Sequence, residues 1–131
     1  MEPFSITLTV RDYELDIQGI VNNAVYQNYL EHARHQYLHH HHIDFAKLTE
    51  KGIILVVKKI EMDFKASLRS NEQFKVEVTT EMDGPLKLIF KQKIIRLTDN
   101  KVCLKANVMG VSLINGKLTK PESIMELKTI L

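Results

Sequence analysis

The chain has 131 residues, 44% hydrophobic and 26% charged, the proportions of one ordinary globular domain long enough to bury a core. Its formal net charge is +2 and its lysines are interspersed with glutamates, so neither a basic face nor a nucleic-acid reading motif stands out. A single cysteine, Cys103, excludes an intrachain disulfide framework, and no apolar run reaches the roughly 18 residues of a membrane span. The first residues, MEPFSITLTV, lack the basic-then-apolar order of a secretory signal. The expectation is a cytoplasmic protein with one domain over residues 1–131 and neither a membrane nor a nucleic-acid partner.

Taken in chain order, SITLTV alternates, with Ile6, Leu8 and Val10 on one face, and predicts a short strand. Residues 12–22 predict a loop. Asparagine is a favoured N-cap, so a helix is expected to open at Asn22 or Asn23. On it Tyr26, Leu30, Ala33 and Tyr37 recur at helical spacing and define a buried stripe. IDFAKLTEKG predicts one or two further helical turns ended by Gly52. The period then changes to that of strands: IILVVKKIEMDFKA, FKVEVTTEM, KLIFKQKIIRL and VCLKANVMGVSLI, with turn signals at DGPL, DNK and NGK. Tight turns predict antiparallel neighbours, and the tail ESIMELKTIL predicts a helix. One long helix on an antiparallel sheet of about five strands is an α+β arrangement, and its edge strands predict pairing with another chain.

All six histidines lie between residues 32 and 42. At about 100° per residue, His32, His35, His39 and His42 share a stripe roughly 80° wide, opposite the apolar one. They are expected to face solvent, and their far end lies roughly 27 Å along the helix from Asn23. No metal site is expected from them. No GxSxG elbow, HExxH signature or phosphate-cradling glycine loop is present. Cys103 lies within a predicted strand, as a buried structural thiol would.

The informative stretch is DIQGIVNNAVYQNYLEHAR, residues 16–34. The first N–H groups of a helix have no internal acceptors, and the positive end of its dipole adds to them, so the mouth of this helix suits a developing oxyanion. Asp16 and Gly19 precede it in a turn. Asp16 is either a local turn former or a nucleophile or general base. Asn22 reads as a cap, and Tyr13 as either a site contact or packing.

Asp16, Gly19 and Val21 with Asn22, Asn23, Ala24 and Tyr26, followed by YLEHAR at residues 29–34, resemble the hotdog-fold acyl-CoA thioesterases of the 4-hydroxybenzoyl-CoA thioesterase-like branch. IEMDFKASL, residues 60–68, adds a weaker match. The resemblance implies a hotdog fold, a long central helix wrapped by an antiparallel sheet, and a homo-oligomer with active sites between subunits. It implies hydrolysis of acyl-CoA or acyl-carrier-protein thioesters, with no resident cofactor or metal. It also implies catalysis by Asp16 and the backbone amide of Asn23 at the oxyanion, with a substrate contact at Lys65; Gly19 and Tyr13 are read from the residues as further members of the site, and Asn22 as a further substrate contact. Lys58, Lys59, Arg69, Lys91 and Lys93 are the other cations within reach of a coenzyme A phosphate. The chain departs from some members in having Asn23 where they have histidine, Asp12 where they have tyrosine, and Ser70–Asn71 where they have Gly-Asp. A non-catalytic acyl-CoA binder is the alternative; a dehydratase would require a histidine near Asp16.

Overall fold

The structure, a computed structural model, describes residues 2–131. Its elements in chain order are β1 (Phe4–Thr9), α1 (Asn23–His40), α2 (Phe45–Glu50), β2 (Ile53–Phe64), β3 (Gln73–Asp83), β4 (Lys87–Arg96), β5 (Lys101–Ile114) and β6 (Lys117–Thr119). No helix among the described residues is long and apolar enough to cross a membrane.

The strands form one antiparallel sheet in the order β1-β3-β4-β5-β2, with short β6 paired to β5. Curling this sheet around α1 gives the expected hotdog arrangement. Not all of the four strands after Gly52 are joined by tight turns: β2 and β3 are not neighbours. The stretch 65–72 carries the chain from one edge of the sheet towards the other, so β1 and β2 are the edges. Pattern alone supplied no turn signal there, and the segment is a crossing rather than a hairpin. The tail also differs from expectation. It forms two 3₁₀ segments, Pro121–Ser123 and Met125–Ile130, whose buried Leu127 and Ile130 close one end of the core.

Both ends of α1 have local causes. Asn22 caps the start, its Oδ1 accepting from the Ala24 amide at 2.9 Å. At the other end His42 adopts a φ of 60°, its amide donates to His39 O, and the Ile43 amide reaches back to Leu38 O at 2.9 Å. These are the bonds of a Schellman stop, with histidine where glycine is usual and buried Leu38 and Ile43 as its apolar pair.

Tyr26, Leu30, Ala33 and Tyr37 are buried as expected, while His32, His35, His39 and His42 face solvent. Beneath α1 the inward rows of three strands align: Val76 opposite Ile94, Val78 opposite Gln92, and Phe90 opposite Val108. Gln92 is the polar member of this apolar layer. Its Nε2 donates to Leu30 O at 2.9 Å and its Oε1 accepts from Arg34 Nη1 at 3.1 Å, which ties the middle of α1 to β4.

Gln92→Leu removes the only acceptor that Arg34 has among the described residues while preserving bulk. The expected loss of stability is about 1–3 kcal/mol, the cost of leaving a buried donor unpaired. Urea unfolding of the two proteins measures it, and equal midpoints would show that the link contributes nothing.

Candidate active site

The loop before α1 is a miniature hairpin. Asp16 N donates to Ile20 O at 2.8 Å and Asn22 N to Glu14 O at 3.0 Å, with Leu15 bridged to Val21 between them. Its tip, Ile17-Gln18-Gly19, closes by a 3.1 Å bond from Gly19 N to Asp16 O. Gly19 has a φ of 79°, a conformation that glycine adopts without steric cost. Aspartate at the first turn position and a left-handed glycine three residues later is the commonest recipe for such a three-residue tip. The spacing of Asp16 and Gly19 therefore has a conformational cause of its own.

Asp16 is half-buried, and one carboxylate oxygen is committed to the turn: Oδ1 accepts from Gln18 N at 2.8 Å and more weakly from Ile20 N at 3.4 Å. Its Oδ2 has no partner among the described residues. The two readings of Asp16 are thus not exclusive, since one oxygen shapes the turn and the other is available.

The return arm of the hairpin is locked to the crossing segment. Val21 N donates to Leu68 O at 2.9 Å, and Ile20 bridges Arg69. Leu68 N in turn donates to the buried hydroxyl of Tyr26 at 3.1 Å, while Arg96 Nη1 holds Ser67 O at 2.9 Å. Arg96 also grips Asp99 with two nitrogens, which holds that carboxyl down to about 2. The crossing segment is thereby fixed against both the helix and the β4–β5 turn.

Between the crossing segment and the mouth of α1 lies a shallow cavity of about 210 Å³ walled by Ile20, Asn23, Tyr26, Phe64 and Lys65. The Asn23 amide has no acceptor among the described residues, whereas the next two amides are used by Asn22: Ala24 N by its side chain and Val25 N by its carbonyl. Lys65 pairs with Asp63 at 2.9 Å, an exposed pair of little net strength that leaves the ammonium open to exchange.

The sequence-predicted residues are therefore only partly gathered. Asn23 and Lys65 share the cavity, while Asp16 lies one residue behind its wall, bonded to Ile20. Asn22 is occupied as a cap. Tyr13 stands apart, 71% exposed in a 3₁₀ turn (Asp12–Glu14), its hydroxyl accepting from Arg11 Nη1 at 2.8 Å. Of the other cations, Arg69 stands beside the site, whereas Lys91 and Lys93 lie on the outer face of the sheet.

Glu14 and Tyr29 were not singled out from the sequence. Glu14 Oε1 accepts from Tyr29 Oη and from Arg11 N, each at 2.8 Å, which anchors the outgoing arm of the hairpin to α1. Burial, then the bond to this carboxylate, push the Tyr29 hydroxyl far above the usual phenol range. Tyr29 lies within YLEHAR, but its partner fifteen residues earlier gave no local signal. Cys103 is buried, and burial raises its thiol, as befits a structural residue. Among the described residues no group of three or more His, Cys, Asp or Glu is arranged to hold a metal.

The chain is similar to several known proteins. A chloroplastic acyl-acyl carrier protein thioesterase of Arabidopsis thaliana, ATL3, is 36% identical over 110 residues, 84% of this chain and 58% of that protein. The chain thus matches little more than half the length of that relative. The acyl-CoA thioester hydrolase YbgC of Escherichia coli O157:H7 is 29% identical over 99 residues, covering 75% of this chain and 72% of its own. Among solved structures, a protein from Aquifex aeolicus superposes with a TM-score of 0.85 at 26% identity, covering 95% of this chain and 98% of that one. The family model of the thioesterase-like superfamily matches residues 10–126, which include the hairpin, the helix mouth and the crossing segment. By that match the chain belongs to the thioesterase-like superfamily.

Proposed function

We propose that this protein is a thioesterase, hydrolysing acyl-CoA or acyl-carrier-protein thioesters to a carboxylic acid and a free thiol. The observation that carries this reading is the junction itself: an unengaged helix-mouth amide at Asn23, reached through a hairpin whose Asp16 keeps one carboxylate oxygen open. The names of the relatives support the same chemistry.

In this reading the thioester carbonyl oxygen accepts from the Asn23 amide, where the α1 dipole stabilises the negative charge that develops on it. Asp16 then acts by one of two routes. As a nucleophile, its Oδ2 attacks the carbonyl carbon, the C–S bond breaks to release the thiolate, and water cleaves the resulting mixed anhydride. As a general base, it takes a proton from water, whose oxygen attacks the carbonyl carbon directly; the tetrahedral intermediate then collapses with cleavage of the C–S bond, and the proton passes to the departing thiolate. Gly19 sets the tip, Lys65 and Arg69 offer cations to the anionic carrier, and Asn22 serves by holding the helix start. Neither route calls for a resident metal or cofactor.

The site is completed in a homo-oligomer, a dimer or tetramer. This is supported by Asp16 not lining the cavity of Asn23 and Lys65 within one chain, and by the unpaired edge of β2 beside that cavity. Tyr13, exposed in the monomer, is then available to a site between subunits. We place its work in the reducing cytoplasm, where a single buried cysteine such as Cys103 needs no disulfide partner.

Asp16→Asn separates the roles of this residue, because asparagine retains the Oδ1 acceptor of the turn and loses the charge. With thiol release measured on short, long and aromatic acyl-CoAs and on acyl-carrier protein, the expected loss is about 10²–10⁴-fold with little change in melting temperature. Undiminished turnover would reduce Asp16 to a turn former. Saturable acyl-CoA binding without turnover in the wild type would favour the non-catalytic binder. Asn22→Ala is expected to cost about 1 kcal/mol of stability by removing the cap. Turnover per folded molecule should change far less than in Asp16→Asn; an equal loss would give Asn22 a chemical role.

A further inference from the structure

Arg34 is only 8% exposed, yet no ion pair among the described residues includes it. A guanidinium carries five N–H donors. Nη1 donates to Gln92 Oε1 at 3.1 Å, and the side chain has no other acceptor among the described residues. No fully buried side-chain nitrogen or oxygen in that set lacks a partner. The free donors of Arg34 are therefore ones that a cavity reaches. That cavity, of about 250 Å³, lies between α1 and β2, and its other walls include Leu38, Phe45, Leu55, Val57 and Phe90. Small-molecule sites of ~300–1,000 Å³ have this character, apolar walls with a few placed polar groups, and this cavity stands at their lower end. Burial draws the Arg34 pKa below the ordinary arginine value, while the charge of Glu31 on the exposed flank opposes that shift. A charge so enclosed is costly unless an opposite charge meets it.

This cavity and the one at the helix mouth are both walled by α1 and β2. In the β2–β5 register Val57, Ile60 and Phe64 stand opposite Gly110, Val108 and Leu104, and the last two are buried in the core. Val57, Ile60 and Phe64 therefore belong to the inner face of the sheet, yet they stay 45%, 37% and 45% exposed. The inner face of β2 is thus an apolar trough that none of the described residues covers. It runs from Phe64 at the helix mouth to Val57 beside Arg34. Arg34 lies about 16 Å along the helix from Asn23. Its side chain leans back towards the helix N-terminus, which shortens the path. A staggered chain of C–C bonds, each about 1.5 Å long, covers the remainder in about ten carbons.

We propose that Arg34 reads the far end of the acyl group, so that the preferred thioesters carry a chain of about ten carbons ending in a carboxylate. The alkyl part lies along the trough, and the carboxylate meets the free donors of the guanidinium. A carboxylate fits this place because its two oxygens match the planar fork and it supplies the missing opposite charge. A methyl-ended chain would leave the donors unpaired while removing water from them. Gln92 is the positioning residue: its Oε1 holds Nη1 while its Nε2 is tied to Leu30 O, so the fork has a fixed origin on the floor of the cavity. This inference rests on the thioesterase reading above and names its substrate class.

The test compares sebacoyl-CoA, whose acyl chain ends in a carboxylate, with decanoyl-CoA, whose chain of equal length ends in a methyl group, and adds shorter and longer pairs. Thiol release gives kcat/KM for wild type, Arg34→Gln and Arg34→Lys. Titration calorimetry gives the affinity of the wild type for the free acids sebacate and decanoate. The wild type is expected to favour the carboxylate-ended chain by about 10–100-fold in kcat/KM, the worth of a hydrogen-bonded charge. Arg34→Gln should bring this ratio near one, and Arg34→Lys, which keeps the charge but not the fork, should restore part of it. A general loss of stability lowers both rates alike, so an arginine that only supports the fold would leave the ratio unchanged, and that result overturns the proposal. A wild-type ratio of one or less at every length overturns it whether or not the variants fold; this is the result if a side chain of a second copy fills the trough. If no thioester is turned over, the thioesterase reading fails and the free acids decide the role of Arg34. Sebacate bound about tenfold more tightly than decanoate would then support it, and equal affinities would sink it.

Discussion

The structure depends on the axial position of α1 in its trough. An apolar stripe buries a helix but does not stop it from sliding, because dispersion contacts are similar at neighbouring offsets. Here a directional bond acts on each successive turn. Tyr26 Oη accepts from Leu68 N, Tyr29 Oη donates to Glu14, Leu30 O accepts from Gln92, and the Tyr37 hydroxyl meets that of Thr80 at 3.1 Å. The buried tyrosines supply apolar bulk along the ring and a polar tip that selects one offset. Only with the helix so fixed does its first amide stand at a defined place beside Lys65 and the crossing segment.

The crossing segment serves both fold and site. By leading from β2 on one edge towards β3, which β1 flanks on the other, it closes the sheet over the start of α1. The return arm of the Asp16 hairpin pairs with its backbone, so the conformation at the helix mouth depends on residues more than forty positions further along the chain. Arg96, from the far end of β4, binds Ser67 O and so fixes this segment from a third direction.

The outer face of the sheet shows why so many lysines create little field. Lys91, Lys93 and Lys105 do converge on it, bordering an open depression of about 700 Å³, but Glu61, Asp63 and Glu77 line the same depression. Lys91 meets Glu81 at 3.2 Å, and Lys75 meets Glu77 at 3.4 Å. Such exposed pairs add little stability. Their effect is to cancel charge along these strands.

Much of the architecture was legible in the sequence because local periodicity carries it. The period of α1, the alternation of β3 and β4, the solvent-facing histidine stripe and the Asn22 cap are set by residues within a few positions of one another. So is the Asp16–Gly19 tip, whose spacing is a turn requirement. What the sequence did not disclose depends on partners distant along the chain. The β2–β3 crossing has no local signal, because strand order is settled by which edges the folded sheet leaves open. Glu14 gained its role from Tyr29, Lys65 its place from the meeting of β2 with the helix mouth, and Arg34 its isolation from the enclosure of one helix flank by β2 and β4. Chemistry written into neighbouring residues could be read in advance. Burial and pairing across the sheet belong to the closed structure, because no local segment contains both partners.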